Sequence, residues 1–174
     1  GIGSAITGAK AMVGTSGGGF DLMTEALSLT GLAEVPLVFY LSQRPGPSTG
    51  VATYNAQGDL KMAINSGHGE FPRLVVSAGD PKEAEELTTE AFYFSQRFHI
   101  PSIILSDKHL GESFYTMDGE AKITPSQKLT TLKRFNSYET DAEGSATENP
   151  EIIKANIVQR NKKNRDRHVS GYLA

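Results

Sequence analysis

Four apolar runs punctuate the chain: "KAMVGT" (10–15), "VPLVFYL" (35–41), "RLVVSA" (73–78) and "PSIILSD" (101–107). They are short, continuous and rich in β-branched or aromatic residues, so they predict buried strands. Between them the period changes. Over 81–98, Ala84, Leu87, Ala91, Phe94 and Phe98 recur at helical spacing behind Asp80 as a cap, Pro81 in the first turn and Glu83 at the third helical position, a capping box. A second helix is predicted over 20–30, with Met23, Ala26 and Leu27 on one face and Gly31 as its stop. A further pattern covers about 57–66, and the first residues read as the middle of a helix. Strands separated by helices imply crossover connections. The predicted fold class is therefore α/β: an open, mostly parallel sheet with helices on both faces.

From about residue 118 the character changes. "GEAKITPSQKLTTLKRFNSYETDAEGSATENP" is polar, turn-rich and without sustained periodicity, and predicts an extended arm. Asn149 and Pro150 offer the cap and first turn of a last helix over about 150–164, with Ile153, Ile157 and Val158 along one side. The organisation expected is an α/β domain over 1–117 and a polar arm with its helix over 118–174. An arm this polar cannot make its own core, which predicts that it packs on a partner subunit or another domain.

Composition narrows the picture. The chain has 174 residues, 38% of them hydrophobic, enough for one domain with a sizeable core. A formal net charge of -3 gives no reason to expect nucleic acid or an anionic membrane as partner, with "QRNKKNRDRH" near the end as the one basic stretch. No apolar run approaches the roughly 20 residues that span a bilayer. There is no cysteine, so this chain offers no disulfide and no thiolate ligand; a cytoplasmic setting is the default, and any iron–sulfur cluster would sit elsewhere. The chain opens on Gly1 with no charged or apolar leader and is read as a fragment, not as a signal-bearing precursor.

Open parallel sheets bind ligands outside the carboxyl ends of their strands. Here those ends are "TSGGG" (15–19), "SQRPGPSTG" (42–50), "SAGD" (77–80) and "SDKH" (106–109). After Thr15 and Ser16, Gly17, Gly18 and Gly19 let backbone come close to a ligand, and a helix starting near Phe20 would turn its amides the same way. A tight strand-to-helix turn is the alternative reading. No dinucleotide fingerprint and no P-loop is present. Arg44 presents a planar fork suited to a carboxylate or phosphate, on a loop stiffened by Pro45 and Pro47 and followed by Ser48 and Thr49. The alternative is a surface arginine on a loop that is stiff for packing. His68, His99 and His109 form no metal-ligand spacing on one helix face, and a metal site is not expected. Ser16 lies outside a nucleophile elbow. Glu83, Glu85, Glu86 and Glu90 read as the solvated side of their helix.

"TGAKAMVGTSGGGFDLMTEAL", "QRPGPSTG", "QGDL", "GHGEFPR" and "ILSDKHLGES", in this order, closely resemble the pyrimidine-binding domain of the alpha subunit of 2-oxoacid:ferredoxin oxidoreductases. The likeness is strongest over about 1–115. The arm, "SYETDAEGSATENPEII" with its basic helix, is similar to the segment that follows this domain in 2-oxoglutarate-type alpha subunits. One departure is Gly18, where the family usually has proline.

The resemblance implies an enzyme that uses thiamine diphosphate with magnesium to decarboxylate a 2-oxoacid oxidatively, makes an acyl-CoA from coenzyme A and passes electrons to ferredoxin. It implies a partner beta subunit that binds the diphosphate with magnesium and carries an iron–sulfur cluster. It assigns Arg44 to the substrate carboxylate and leaves Thr15, Ser16, Gly17, Ser48 and Thr49 as cofactor or substrate pocket. The family's activating glutamate would precede Gly1, so the resemblance names no catalytic acid or base on these residues and implies that the chain is inactive alone. "ITPS" at 123–126 follows the last strand and is not the family's upstream Tyr-Pro-Ile-Thr-Pro motif. Two rivals stay open at this point: an α/β ligand-binding module without chemistry, and a transketolase-like thiamine diphosphate enzyme.

Overall fold

The computed structural model describes residues 1–129, 132 and 136–169, with side chains described as far as residue 164. Four strands, β1 (Ala11–Ser16), β2 (Leu37–Gln43), β3 (Leu74–Ser77) and β4 (Ser102–Asp107), form one sheet in the order β1-β2-β4-β3. Every pairing is parallel. The connections carry α1 (Ile2–Ile6), α2 (Gly17–Asp21), α3 (Thr24–Leu32), α4 (Leu60–Asn65), α5 (Pro81–Phe98) and α6 (Lys108–Glu112), and α7 (Pro150–Val169) follows the arm.

Alternation along the strands divides the core in two. Leu37, Phe39 and Leu41 of β2 with Ile103 and Leu105 of β4 face α1 to α4, meeting Ala5, Phe20, Leu27 and Ala63. Val38 and Ile104 point the other way, to Ala91 and Phe94 of α5. A strand covered on both sides has no polar face to show, which is why the sequence reads as continuous apolar runs. β1 departs from that expectation: Met12 is 50% exposed and Gly14 is exposed, because α5 packs on β2, β3 and β4 and leaves this side of the edge strand bare.

The predicted helix over 20–30 is two helices. α2 begins at Gly17 with Ser16 at its cap, and a turn at Leu22 and Met23 separates it from α3. Gly31 does not stop α3 but lies buried inside it; a Cβ there would sit 2.3 Å from the Phe71 ring. The ring needs the space, so the glycine marks packing. The left-handed turn comes later, at Glu34 (φ 57), where the Val35 N–H donates to the Thr30 carbonyl. α5 matches its predicted bounds. Its cap is Asp80, which accepts from the Glu83 N–H at 2.8 Å, while the Glu83 carboxylate reaches past the cap to the Gly79 N–H at 2.7 Å.

The arm finds its partner within the chain. The Lys122 N–H donates to Glu86 and the Thr124 N–H to the Thr89 hydroxyl, both on α5, and Lys82 donates to the Asp118 carbonyl. Leu132 then enters the core cluster that includes α1 to α4, 4% exposed, and Leu129 packs against the same cluster. The arm's own polarity suits this course, because its main-chain donors are met by α5 side chains; Glu83 and Glu86 are thus not merely solvated. Asn149 caps α7, accepting from the Glu151 and Ile152 N–H groups. The predicted apolar side of that helix is not what docks: Ile157 is 42% and Val158 50% exposed. α7 is held by polar contacts, Arg160 to Glu139 and Lys163 to Glu34, each at 2.5 Å. Among the described residues no helix is long and apolar enough to cross a membrane.

Candidate functional site

Strand register brings the predicted loops together. Ser16 pairs with Ser42 and Ser42 with Ser106, so three serines cross the sheet in one row; the next row aligns Gln43 with Asp107. Everything beyond these rows belongs to the carboxyl edge, where the "TSGGG" and "QRPGPSTG" loops leave β1 and β2.

A strap formed by residues 51–59 folds back over these strand ends. Gln57 donates to Asp107 Oδ2 at 2.6 Å, Asn55 accepts from the His109 N–H at 3.1 Å, and Gln43 Oε1 accepts from the Asp59 N–H at 3.0 Å. Asp107 also caps α6, accepting from the Leu110 N–H at 2.9 Å. Burial raises the proton affinity of Asp107, but the Gln57 bond, with further help from the Leu110 and His109 amides, outweighs it and holds the carboxyl below its ordinary range. The strap residue "QGDL" stood out in the sequence only as part of a resemblance. Gln43, Gln57, Asp59 and Asp107 were missed as a group because they lie in three separate segments, Gln57 and Asp59 sharing the strap; the one local signal was the polar residue, Gln43 or Asp107, that closes an apolar run.

The predicted residues converge. Arg44 leaves the end of β2 half-buried, with Nε buried and, among the described residues, without a hydrogen-bond partner. Opposite it, a Cβ on Gly18 would lie 3.6 Å from the Ser48 carbonyl, and one on Gly17 would lie 3.5 Å from Asp59 Oδ2. Both distances are ordinary contact, so the two loops and the Asp59 carboxylate meet here beside backbone that has room for a Cβ. At Gly19 the space is already taken: Thr15 Oγ1 stands 1.9 Å from where a Cβ would be, so Thr15 packs under α2 and its hydroxyl turns to the Ser16 carbonyl. Ser48 and Thr49 are exposed at the rim. The loop closes through the Val51 N–H on the Pro45 carbonyl, and Gly50, at φ 56, cannot carry a side chain, since its Cβ would strike that carbonyl oxygen at 1.7 Å.

Asp59 is the other charged group of the cleft. Its Oδ2 is buried and, among the described residues, has no hydrogen-bond partner. Burial first, and then the Asp21 carboxylate, raise its proton affinity above the ordinary carboxylate value, while the Arg44 guanidinium opposes them.

His68 and His99 lie apart from this cleft, whereas His109 borders it through its N–H on Asn55. His68 sits between Gly67 and Gly69, both at positive φ, and its N–H donates to Ser28 on α3, which fastens the loop before β3. Phe71 in the same loop fills the space at Gly31 and carries the Arg73 guanidinium 4.2 Å from its ring, so "GHGEFPR" is accounted for by packing. His99 ends α5 in a left-handed turn. Among the described residues no group of three or more His, Cys, Asp or Glu comes together for a metal. A cavity of about 920 Å³ opens along β3, walled by Leu60, Ile64, Phe71, Leu87 and Phe94. Asn65, Glu70, Arg73 and Glu90 also line it; the carboxyl edge, where the predicted loops meet with Arg44 and Asp59, is taken as the site.

A family model described as pyruvate flavodoxin/ferredoxin oxidoreductase, thiamine diphosphate-binding, matches residues 1–171. The alpha subunit of 2-oxoacid:ferredoxin oxidoreductase 1 from Aeropyrum pernix is 49% identical over 109 residues, covering 63% of this chain and 17% of that protein. The 2-oxoglutarate synthase subunit KorA from Archaeoglobus fulgidus is 38% identical over 141 residues, 81% of this chain and 38% of its own. Among solved structures, a 2-oxoglutarate:ferredoxin oxidoreductase from Magnetococcus marinus, with 2-oxoglutarate, coenzyme A and succinyl-CoA bound, superposes with a TM-score of 0.80 at 27% identity. That match covers 99% of this chain and 35% of the other. The chain thus spans between 17% and 38% of the length of these relatives.

Proposed function

The chain belongs to the pyruvate flavodoxin/ferredoxin oxidoreductase family of thiamine diphosphate-binding domains, and from that membership we propose that it serves as the pyrimidine-binding part of a 2-oxoacid:ferredoxin oxidoreductase alpha subunit. The assembled enzyme would convert a 2-oxoacid and coenzyme A to an acyl-CoA and carbon dioxide, with the electrons passing to ferredoxin. The observation that carries this reading is Arg44: a guanidinium whose Nε is buried and, among the described residues, unpartnered, on a closed loop at the carboxyl edge of β2.

The residues at hand suit the aminopyrimidine end of thiamine diphosphate. Gly17 and Gly18 carry no side chain and face the Asp59 carboxylate and the Ser48 carbonyl respectively, so a flat ring with an amino group would meet backbone and acceptors there. Thr15 and Ser16 on one side and Ser48 and Thr49 on the other are the residues that would hold it. When bound, the cofactor supplies the nucleophilic carbon and the electron sink that decarboxylation of a 2-oxoacid needs. The diphosphate end with its magnesium, and an iron–sulfur cluster, we assign to a partner beta subunit.

What this chain contributes is placement. The Arg44 fork binds the substrate carboxylate by paired charge-assisted hydrogen bonds, and the closed loop around Pro45 to Val51 limits the freedom lost on binding. The strap holds the floor of the cleft to the strand ends through Gln57, Asn55 and Gln43. The substrate class follows from the relatives, whose names specify 2-oxoacids and, for two of those cited above, 2-oxoglutarate.

The test is reconstitution. The full-length subunit assembled with its beta partner should reduce ferredoxin or a viologen dye only when a 2-oxoacid, coenzyme A and thiamine diphosphate are all present. Undiminished reduction without thiamine diphosphate, or no reduction with 2-oxoglutarate, pyruvate or any other 2-oxoacid tried, would overturn the reading.

A further inference from the structure

The sheet order leaves β3 at an edge, paired with β4 alone. Across that pair the Leu74 N–H donates to the Pro101 carbonyl. In a parallel strand the N–H and C=O of one residue point to one side and those of the next residue to the other. Leu74 and Val76 therefore serve β4, while Val75 and Ser77 turn their main-chain donors and acceptors outward. Among the described residues no strand lies on that side. A row of open N–H and C=O groups is a template for pairing with another chain.

Outside β3 lies the cavity of about 920 Å³, and all four residues of the strand line it. Side chains of an added strand would alternate between the two faces of the sheet. Each face offers an apolar wall: Leu60, Ile64 and Phe71 on the α4 side, Leu87 and Phe94 on the α5 side. A segment apolar at every position suits such a place. Charge narrows the choice further. Glu70 and Glu90 line the cavity, whereas Arg73, its one cation among the described residues, donates to the Ala63 and Ser66 carbonyls. A second copy of this chain would bring carboxylates against carboxylates; a lysine or arginine beside the apolar segment would meet them. α7 passes the cavity at Asn161 and Asn164 and leaves the edge open, which points to a different chain as the occupant.

We propose that the free edge of β3 is a docking site for an extended segment of another chain, about as long as β3, apolar throughout and flanked by lysine or arginine. Main-chain hydrogen bonds to Val75 and Ser77 supply the affinity, and the two apolar walls with Glu70 and Glu90 supply the choice of sequence. The docking does not depend on the function proposed above, since neither Arg44 nor Asp59 lines the cavity.

The experiment uses the full-length subunit and a fluorescent peptide, acetyl-Lys-Val-Val-Ile-Lys-amide. One control is the same peptide N-methylated at alternate residues, so that one edge cannot donate; the other carries glutamate for both lysines. Anisotropy gives the Kd and hydrogen exchange gives the place. We expect the basic peptide to bind, and methylation or the change to glutamate to weaken it about tenfold or more. Bound peptide should slow exchange at the Val75 and Ser77 amides and leave Leu74 and Val76, already bonded to β4, unchanged. Val75→Pro removes an N–H that the sheet does not use, which an edge strand tolerates, and should weaken binding about tenfold. Glu70→Lys combined with Glu90→Lys, neither residue being buried, should reverse the preference between the basic and acidic peptides, and it decides the matter if Val75→Pro does not fold. No binding of the basic peptide, equal binding of either control, or protection away from β3 overturns the proposal. Protection of the Val75 and Ser77 amides without peptide overturns it too: growing with protein concentration, it gives the edge to a second copy, and otherwise to the subunit's own chain.

Discussion

Asp59 and Asp107 are carboxylates of one edge with opposite protonation behaviour. Asp59 holds its proton more tightly when folded, through burial and then the Asp21 charge, so its contribution to stability is present below the ordinary carboxylate range and is lost as pH rises through the folded value. Asp107 binds its proton less tightly when folded, because the Gln57 and amide bonds overcome burial; its contribution is present above the ordinary range and is lost as pH falls through the depressed value. Melting curves across pH should therefore show Asp107→Asn less stable than the parent by about 1 to 3 kcal/mol near neutrality, with the gap closing in acid, whereas Asp59→Asn should be no less stable than the parent there. A constant gap for Asp107→Asn down to strong acid would contradict the assignment. Gly31 makes a simpler test. Its missing Cβ is replaced by the Phe71 ring, so Gly31→Ala should destabilise by about 1 to 3 kcal/mol through overpacking, despite alanine's better helix propensity. A gain in thermal midpoint would show that the ring moves aside freely.

At the scale of elements, legibility tracked how local the cause was. α5 was readable end to end, because Asp80, Pro81 and Glu83 state its start within four residues and the apolar period runs unbroken. Asp80→Ala should cost about 1 kcal/mol in denaturant melts, with no change in the slope; no loss would mean that Glu83 and Gly79 alone hold the end. The break between α2 and α3 was not readable. Nothing in "GGGFDLMTEAL" announces a turn at Leu22 and Met23, and the glycine taken for a stop was there for Phe71, forty residues on. The candidate site shows the same division. Arg44 and the glycines were visible as one loop each, whereas the strap that ties Gln57, Asn55 and Asp59 to the strand ends exists only through strand register.

Across the whole molecule, the arm and the cleft are the parts whose partners decide the account. The polar arm meets the α/β domain, its Lys122 and Thr124 N–H groups donating to Glu86 and Thr89 of α5. Hydrogen exchange should show the Lys122 and Thr124 amides slowed in the chain by itself; exchange at the intrinsic rate there, with protection only in the assembly, would show that these contacts need a partner chain to form. Leu132→Ala should cost about 2 to 5 kcal/mol, as a core leucine does, although it lies in the arm. The central claim concerns the fork at the end of β2, and the most direct measurement is the specificity constant of the assembled enzyme for its 2-oxoacid with Arg44 replaced. Removing one partner of a buried charge pair costs about 2 to 5 kcal/mol, so Arg44→Ala should lower kcat/KM roughly 30-fold or more, with lysine recovering only part, because an ammonium cannot reproduce the fork. A value for Arg44→Ala within about twofold of the parent for every 2-oxoacid tried, a difference under about 0.4 kcal/mol, would contradict the carboxylate role and return the loop to packing alone.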